Sequence, residues 1–526
     1  MNANWPHIGT VLKMNARNYP SKTGWQDLHR EYTFYEWNSR ACRLANGLKG
    51  LGIGFQDRFA VMSYNRGEWM DLYAACAKGG QVIVPVLFRH SPQNVEYIVN
   101  HASCGAFFVE APLVELVNAI RDRLAIDRAN YIYIGDGAAP EGYLHYEEWL
   151  AEQSPDEPEV DLTGSDMWTI MYTSGTTGTP KGVVKSHESY MAEYFLDIIN
   201  RGVRPDDKVM LVMPMCHVNS IYYSFAYTLV SAPVFVYNMK SFDAERMLRT
   251  LERYGITFVS LVPTHYRMIM DLPDEVKRSV DVSKIRQLLI SSAPAQKSLK
   301  KEIMAYFSNA ELWEAYGTTE GGLITYLRPE DQLRKLGSIG KEIFGIDRIK
   351  LLDEKGNEVA DGEAGELYYR TPVVFSSYWE EPEKTRDAFR GEWSSAGDIA
   401  RRDSDGYYCL IDRKENMIIT GGEKVYPHEV ENELGTHPAV SEVAVIGVPD
   451  EKWGENIMAV IVPSKGSDAG DDLKQEIVKY ARQKLPSFMK PKIVQFIDPA
   501  EMPRNATGKI LHRELMNRYG TWSNDG

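Results

Sequence analysis

Apolar runs of strand length alternate with amphipathic stretches of helix length along most of this chain. The runs over 59–64, 81–86, 106–110 and 131–135 predict strands. Between them, 68–77, 92–101 and 114–124 carry apolar positions at helical spacing and predict helices. The pattern then resumes, with strands predicted over 208–213, 234–238, 257–262 and 286–291 and helices over 221–229, 244–254 and 299–307. Such alternation gives parallel sheets covered on both faces, because each crossover lays a helix against the sheet. The stretch 156–164, rich in Pro, Asp, Glu and Gly, separates the two runs and predicts two stacked α/β subdomains.

Past about residue 337 the texture changes. Short strands over 348–352, 365–370 and 407–411, punctuated by Gly-Asn and Asp-Gly turns, predict a small β-rich subdomain. A compact α+β tail follows Arg413, with helices over 427–434, 472–484 and 510–518 and strands over 441–448, 457–463 and 492–496. The expected fold is α/β: a large N-terminal domain over 1–413 and a small, mobile C-terminal domain over 414–526.

Composition narrows the possibilities. The 526 residues exceed one ordinary domain, and 44% apolar with 25% charged content is that of a globular protein with a large core. A net charge of −14 argues against non-specific binding to nucleic acid or anionic membrane, while leaving room for a local basic site. Five scattered cysteines without CxxC spacing fit reduced thiols. The first residues show no signal pattern, and no apolar run approaches the about eighteen residues that a membrane span needs. A cytoplasmic location is expected.

Candidate chemistry concentrates between the strands expected at 167–173 and 183–186. From Thr173 to Gly182, eight positions are Thr, Ser or Gly, and Pro180-Lys181-Gly182 closes the run. Glycines let the backbone approach anionic oxygens, hydroxyls donate to them, and Lys181 adds charge. The string suits a polyphosphate. It is not a P-loop, since five residues separate Gly175 from Lys181 and Gly182 follows the lysine.

This string resembles the signature loop of the adenylate-forming enzymes, the superfamily of acyl-CoA synthetases, luciferases and peptide-synthetase adenylation domains. Four further blocks resemble that family in order: Tyr316-Gly-Thr-Thr-Glu320, Ser395-Ala-Gly-Asp398, the hinge segment from Asp412 to Gly422, and Pro503-Arg-Asn-Ala-Thr-Gly-Lys509. Taken singly each is a common turn; the ordered set carries the resemblance.

The resemblance implies an AMP-forming acid:CoA ligase, an acid–thiol ligase using ATP, Mg²⁺ and coenzyme A on a small carboxylic acid. It implies that Thr173, Ser174, Gly175, Thr176, Thr177 and Lys181 cradle phosphates. Glu320 would hold Mg²⁺, with Thr319 near the α-phosphate. Tyr316, Gly317 and Thr318 would flank adenine opposite Ser292, Ala293 and Pro294. Asp398 would accept from the ribose hydroxyls, and Arg413 would donate to the ribose or phosphate. Lys509 would bridge the carboxylate and the α-phosphate, and Glu415 would be the hinge. His217 matches an aromatic gate, and Gly421, Gly422, Trp453, Phe488 and Lys490 match segments that contact CoA.

The expected acyl pocket includes His217, Val218, Asn219, Tyr222, His265, Gly317 and Leu323. Its polar groups argue for a short, branched or hydroxylated acid such as 2-hydroxyisobutyrate, because a buried polar side chain seeks a partner that a substrate hydroxyl could be. A benzoate- or cinnamate-type acid is the alternative. A stand-alone adenylation module loading a carrier protein is a further one.

Overall fold

The computed structural model describes residues 7–173, 180–291, 295–464, 466–504 and 510–520. They pack as two compact units, one of 1–348 with 369–394, the other of 349–368 with 395–526.

In the first unit, among the described residues, eight strands form one sheet and nine another. The first sheet runs, in spatial order, Ser377–Tyr378, Lys181–Ser186, Met167–Thr173, Val82–Val86, Arg58–Met62, Cys104–Glu110, Tyr131–Ile134 and Leu144–His145. The second runs from Lys341–Glu342 through Gly322–Leu327, Glu311–Thr318, Gln287–Ile290, Phe258–Leu261 and Val209–Leu211 to Val234–Val236, Thr23–Gln26 and Glu31–Thr33. One apolar core joins them. It holds Phe59, Ile83 and Trp168 from one sheet, Val209, Phe258 and Trp313 from the other, and Tyr190, Tyr194 and Phe225 from helices His187–Arg201 and Val218–Leu229.

The predicted division at 156–164 does not separate the sheets. Met167–Thr173 lies beyond it yet pairs in parallel with Val82–Val86, and Thr23–Gln26 from the start of the chain pairs in parallel with Val234–Val236. A polar linker marks where the chain leaves a sheet, and here the chain returns to it. The helix expected over 114–124 stops at Asn118. Bonding then tightens to three-residue spacing, with Ile120 N–H on Val117 O and Arg123 N–H on Ile120 O, while Val117, Ile120 and Leu124 stay buried. The other predicted elements agree with the structure to within a few residues at their ends.

In the second unit, Lys350–Leu352, Gly365–Tyr368, Asp398–Arg402 and Tyr408–Arg413 form an antiparallel sheet. The tail sheet is built on the long hairpin Val440–Asp450 and Gly454–Pro463, which pairs with Ile418–Thr420 and, in parallel, with Ile493–Phe496. Helices cover both faces: Val430, Leu434 and Ile477 fill one core, Met502 and Leu515 the other. This unit extends back past residue 414, because His428 N–H donates to the Asp412 carboxylate at 2.8 Å and Arg401 pairs with Glu429 at 3.1 Å. Among the described residues no helix is long and apolar enough to cross a membrane.

Candidate active site

Thr173 and Lys181 face each other across the antiparallel hairpin of Met167–Thr173 and Lys181–Ser186. The polar string between them, with Ser174, Gly175, Thr176 and Thr177, lies outside the described residues, as do Ser292, Ala293, Pro294 and Lys509. Lys181 Nζ sits 4.4 Å from the ring centroid of Tyr378, a cation–π contact that fixes the lysine at the mouth of the hairpin. Tyr378 comes from the short edge strand Ser377–Tyr378, paired antiparallel to Lys181–Ser186.

The same tyrosine reaches Glu320, donating from Oη to Oε1 at 2.8 Å. Glu320 lies on the turn between antiparallel strands Glu311–Thr318 and Gly322–Leu327. The Thr318 hydroxyl accepts from Gly321 N–H at 2.8 Å and meets Tyr369 Oη at 3.0 Å, and Phe375 N–H donates to the Glu320 carbonyl at 2.7 Å. Gly317 is obligatory, because a Cβ there would lie 2.3 Å from the Gly322 carbonyl oxygen. Tyr316 is buried and Thr319 half-buried at the tip of the turn.

Glu320 Oε2 has no hydrogen-bond partner among the described residues, so one carboxylate oxygen is fixed and the other is available to a hard cation. No cage of three or more His, Cys, Asp or Glu occurs among the described residues. One carboxylate completed by substrate phosphate oxygens is how proteins usually hold Mg²⁺, so Glu320 fits that ion.

His217 caps helix Val218–Leu229, its Nδ1 accepting from Asn219 N–H at 3.3 Å. Burial pushes His217 and His265 down to about 4, so both rings are neutral at pH 7. Asn219 uses its amide on Ser260 (3.3 Å) and Ser291 (3.0 Å). Tyr222 donates to the Thr318 carbonyl at 3.3 Å. Two residues expected to meet a substrate hydroxyl are thus already paired. His265 differs: its ring stacks on Phe242 with centroids 4.0 Å apart, and its buried Nδ1 has no hydrogen-bond partner among the described residues. Val218 and Leu323 are buried.

In the second unit, Asp398 and Arg413 are opposite one another on paired strands, with Arg413 Nε 2.6 Å from the Asp398 carboxylate. Arg413 Nη1 also donates to Ala396 O at 3.1 Å. Glu415 lies in the short turn Lys414–Asn416. Gly421 (φ +60°) and Gly422 (φ +86°) adopt left-handed backbone, and a Cβ on Gly421 would strike the Trp453 ring at 2.7 Å. Trp453 and Phe488 are 42% and 40% exposed, so neither is a core residue of the tail. Lys452 and Lys492 lie 5.0 and 4.6 Å from the Trp453 ring, and Lys490 is half-buried. Arg504 and Ile510 bridge across the segment that carries Lys509.

Tyr378, Tyr369, Lys185, Glu193 and Lys492 escaped the sequence reading. Tyr378 is 58 residues from Glu320, and nothing local to either marks the pairing. Lys185 did leave a signal: a charged residue directly after the apolar pair Val183-Val184 in a buried strand.

Two sheets around one core, with Lys181 and Glu320 joined through Tyr378 at the hairpin that carries the polar string, fit a nucleotide-activating enzyme. The AMP-binding enzyme model matches residues 12–379, and that of the AMP-binding enzyme C-terminal domain matches 429–509. A long-chain-fatty-acid–CoA ligase of Mycobacterium tuberculosis is 34% identical over 518 residues, covering 98% of both chains. A feruloyl-CoA synthase of Amycolatopsis sp is 32% identical, covering 98% of this chain and 99% of its own. Among solved structures, an anthranilate CoA ligase in complex with anthranoyl-AMP aligns with a TM-score of 0.87 at 27% identity, covering 98% of each chain. The chain belongs to the family of AMP-binding enzymes. Within it, this protein is an AMP-forming acid:CoA ligase.

Proposed function

We propose that the acid is compact and carries a polar substituent, and that the sequence-assigned residues divide two half-reactions between them. In the first, a carboxylate oxygen attacks the α-phosphorus of ATP and pyrophosphate leaves, giving the acyl-adenylate. In the second, the CoA thiolate attacks the acyl carbon and AMP leaves. The observation that carries this reading is the shared tyrosine: Tyr378 holds Lys181 by its ring and Glu320 by its hydroxyl. A cation and a carboxylate with a free oxygen are thereby set beside one polar hairpin, the pairing a metal-bound polyphosphate requires.

Glu320 would hold Mg²⁺, which when bound would supply positive charge against the phosphates. Lys181 and the hairpin donors orient the β- and γ-phosphates, Thr319 faces the α-phosphate, and Asp398 accepts from the ribose hydroxyls. Lys509 stabilises charge developing between carboxylate and α-phosphate. The domain 414–526 turns about Glu415 between half-reactions, so that Gly421, Trp453, Phe488 and Lys490 can serve the thiol after Lys509 has served the adenylate. His217, neutral at pH 7, gates the acyl group from the thiol.

For the acid, the His265 Nδ1, without a partner among the described residues, supports a hydroxylated substrate such as 2-hydroxyisobutyrate. An aromatic acid is the second reading, supported by relatives named for ferulate and anthranilate and by the His265–Phe242 stack. The test is turnover of a 2-hydroxy acid against its deoxy analogue and benzoate. An unpaired buried polar group costs about 1–3 kcal/mol, so the deoxy acid should lose roughly 5- to 150-fold in kcat/KM. Equal turnover of the deoxy acid would remove the hydroxyl reading, and preference for benzoate would establish the aromatic one.

A further inference from the structure

Two buried charges lie beneath the turn that carries Thr319 and Glu320. Lys185 comes from strand Lys181–Ser186 and Glu193 from helix His187–Arg201, and both side chains are almost wholly shielded from solvent. Lys185 Nζ donates to Tyr222 Oη at 3.3 Å, and that hydroxyl donates to the Thr318 carbonyl, also at 3.3 Å. The ammonium lies 5.0 and 5.1 Å from the ring centroids of Tyr190 and Tyr222. Glu193 accepts the Leu323 N–H on both carboxylate oxygens, at 3.1 and 3.2 Å. Lys185, acting through Tyr222, therefore braces the turn where it begins, and Glu193 holds it directly where it ends.

The fit at the far end is close. Gly322 has φ +69°, and a Cβ there would fall 2.1 Å from Glu193 Oε2. The glycine lets the backbone bend down onto the carboxylate.

As a stabilising device the pair makes little sense. No carboxylate of a described residue comes within ion-pair distance of Lys185, so the two charges attract only across a gap. Burial drives Lys185 down and Glu193 up, each held back in part by the other's charge. An apolar pair of the same size is commonly as stable or more so. Each charge instead reaches a different end of one short turn, and the charge of Glu320 acts on Lys185 directly.

We propose that Lys185 and Glu193 are positioning residues for Glu320, holding the turn over 318–323 so that the free carboxylate oxygen faces the metal on ATP. The inference rests on the reading of Glu320 as the magnesium ligand. Gripping both ends restrains Glu320 in a way that Tyr378, bonded to a single oxygen, does not.

The test uses the full chain and four variants: Glu193→Gln, Glu193→Leu, Lys185→Met and Glu320→Gln. Mn²⁺ binding is measured by electron paramagnetic resonance with an α,β-methylene analogue of ATP present, so that no chemistry intervenes. The Mg²⁺ dependence of pyrophosphate release and thermal unfolding are followed in parallel. Glu193→Leu should weaken Mn²⁺ binding and raise the half-saturating Mg²⁺ by about tenfold or more, with KM for the acid unchanged. Glu193→Gln still offers an oxygen to Leu323 N–H and should stay within about threefold of the parent. Lys185→Met should fall between them, and it carries the test if Glu193→Leu does not fold. Loss of thermal stability with parental Mn²⁺ affinity in both Glu193→Leu and Lys185→Met would make the pair mere core packing and overturn the inference. Parental Mn²⁺ affinity in Glu320→Gln would instead defeat the metal reading itself.

Discussion

Glu320→Gln separates charge from shape. Glutamine keeps the length of the side chain, and its amide oxygen can still accept the bond that Tyr378 makes at 2.8 Å. A hydrogen bond to a charged acceptor is worth about 1.5–3 kcal/mol and one to a neutral acceptor about 1, so the folded state should lose only about 1 kcal/mol. Relief from burying a carboxylate works in the opposite sense and makes that loss an upper bound. The rate is a different matter. Removing one preorganised electrostatic group from a site of developing charge costs about 2.7–4 kcal/mol, or about 10²–10³ in rate. The two observables should therefore part company: denaturant unfolding hardly changes, while single-turnover pyrophosphate release falls by two to three orders of magnitude. Release is followed with ATP and acid across a Mg²⁺ titration. A parental rate at sub-saturating Mg²⁺ would refute the reasoning, and so would a loss of rate no larger than the loss of folded protein.

Other expectations concern the tail. Burial raises the Glu431 carboxyl, but hydrogen bonds from His428 and His512 outweigh it and bring the group down to about 2. With the folded value below the unfolded one of 4.5, its stabilisation is complete above that pH and lost as the pH falls towards about 2. At 1.36 kcal/mol per unit the contribution is about 3 kcal/mol, and Glu431→Gln should flatten the acid limb of stability in urea titrations by that order. Trp453→Ala should raise KM for CoA by about 5- to 100-fold, on the scale of one lost stacking contact, and leave pyrophosphate release alone. Glu415→Pro, with φ fixed near about −65°, should keep most adenylation and lose thioester formation, whereas Lys509→Ala should lose adenylation yet still pass a pre-made acyl-adenylate to CoA. Parallel losses in both half-reactions would argue for a fixed tail.

What could be read from the chain depended on how local the information was. The strand Met167–Thr173 is a mostly apolar run, interrupted by Thr169, that ends at a polar string, so both element and chemistry were legible. Helices Pro92–His101 and Ala244–Tyr254 carry Ser91 and Asp243 as N-caps, and their limits were legible too. Sheet membership was not. Nothing in Thr23–Gln26 announces Val234–Val236 as its neighbour, because parallel pairing is set by packing of the helices between the sheets. The same holds for the site. Motifs named Glu320 and Lys181, but Tyr378, which joins them, sits on a two-residue edge strand with no periodic signature. Asn219 was legible as a polar residue of the expected acyl pocket. Its engagement by Ser260 and Ser291 was not, since those serines arrive from the ends of two other strands.

The central claim, activation through an acyl-adenylate followed by transfer to CoA, is tested most directly by product stoichiometry in a staged reaction. Enzyme is mixed with excess ATP, Mg²⁺ and a turned-over acid, pyrophosphate is quantified, and CoA is added afterwards. The account predicts a burst of one pyrophosphate per active site before CoA, with no free AMP, then AMP and acyl-CoA released together in equal amounts once CoA arrives. Production of ADP and orthophosphate, or release of AMP that does not depend on the thiol, would contradict it.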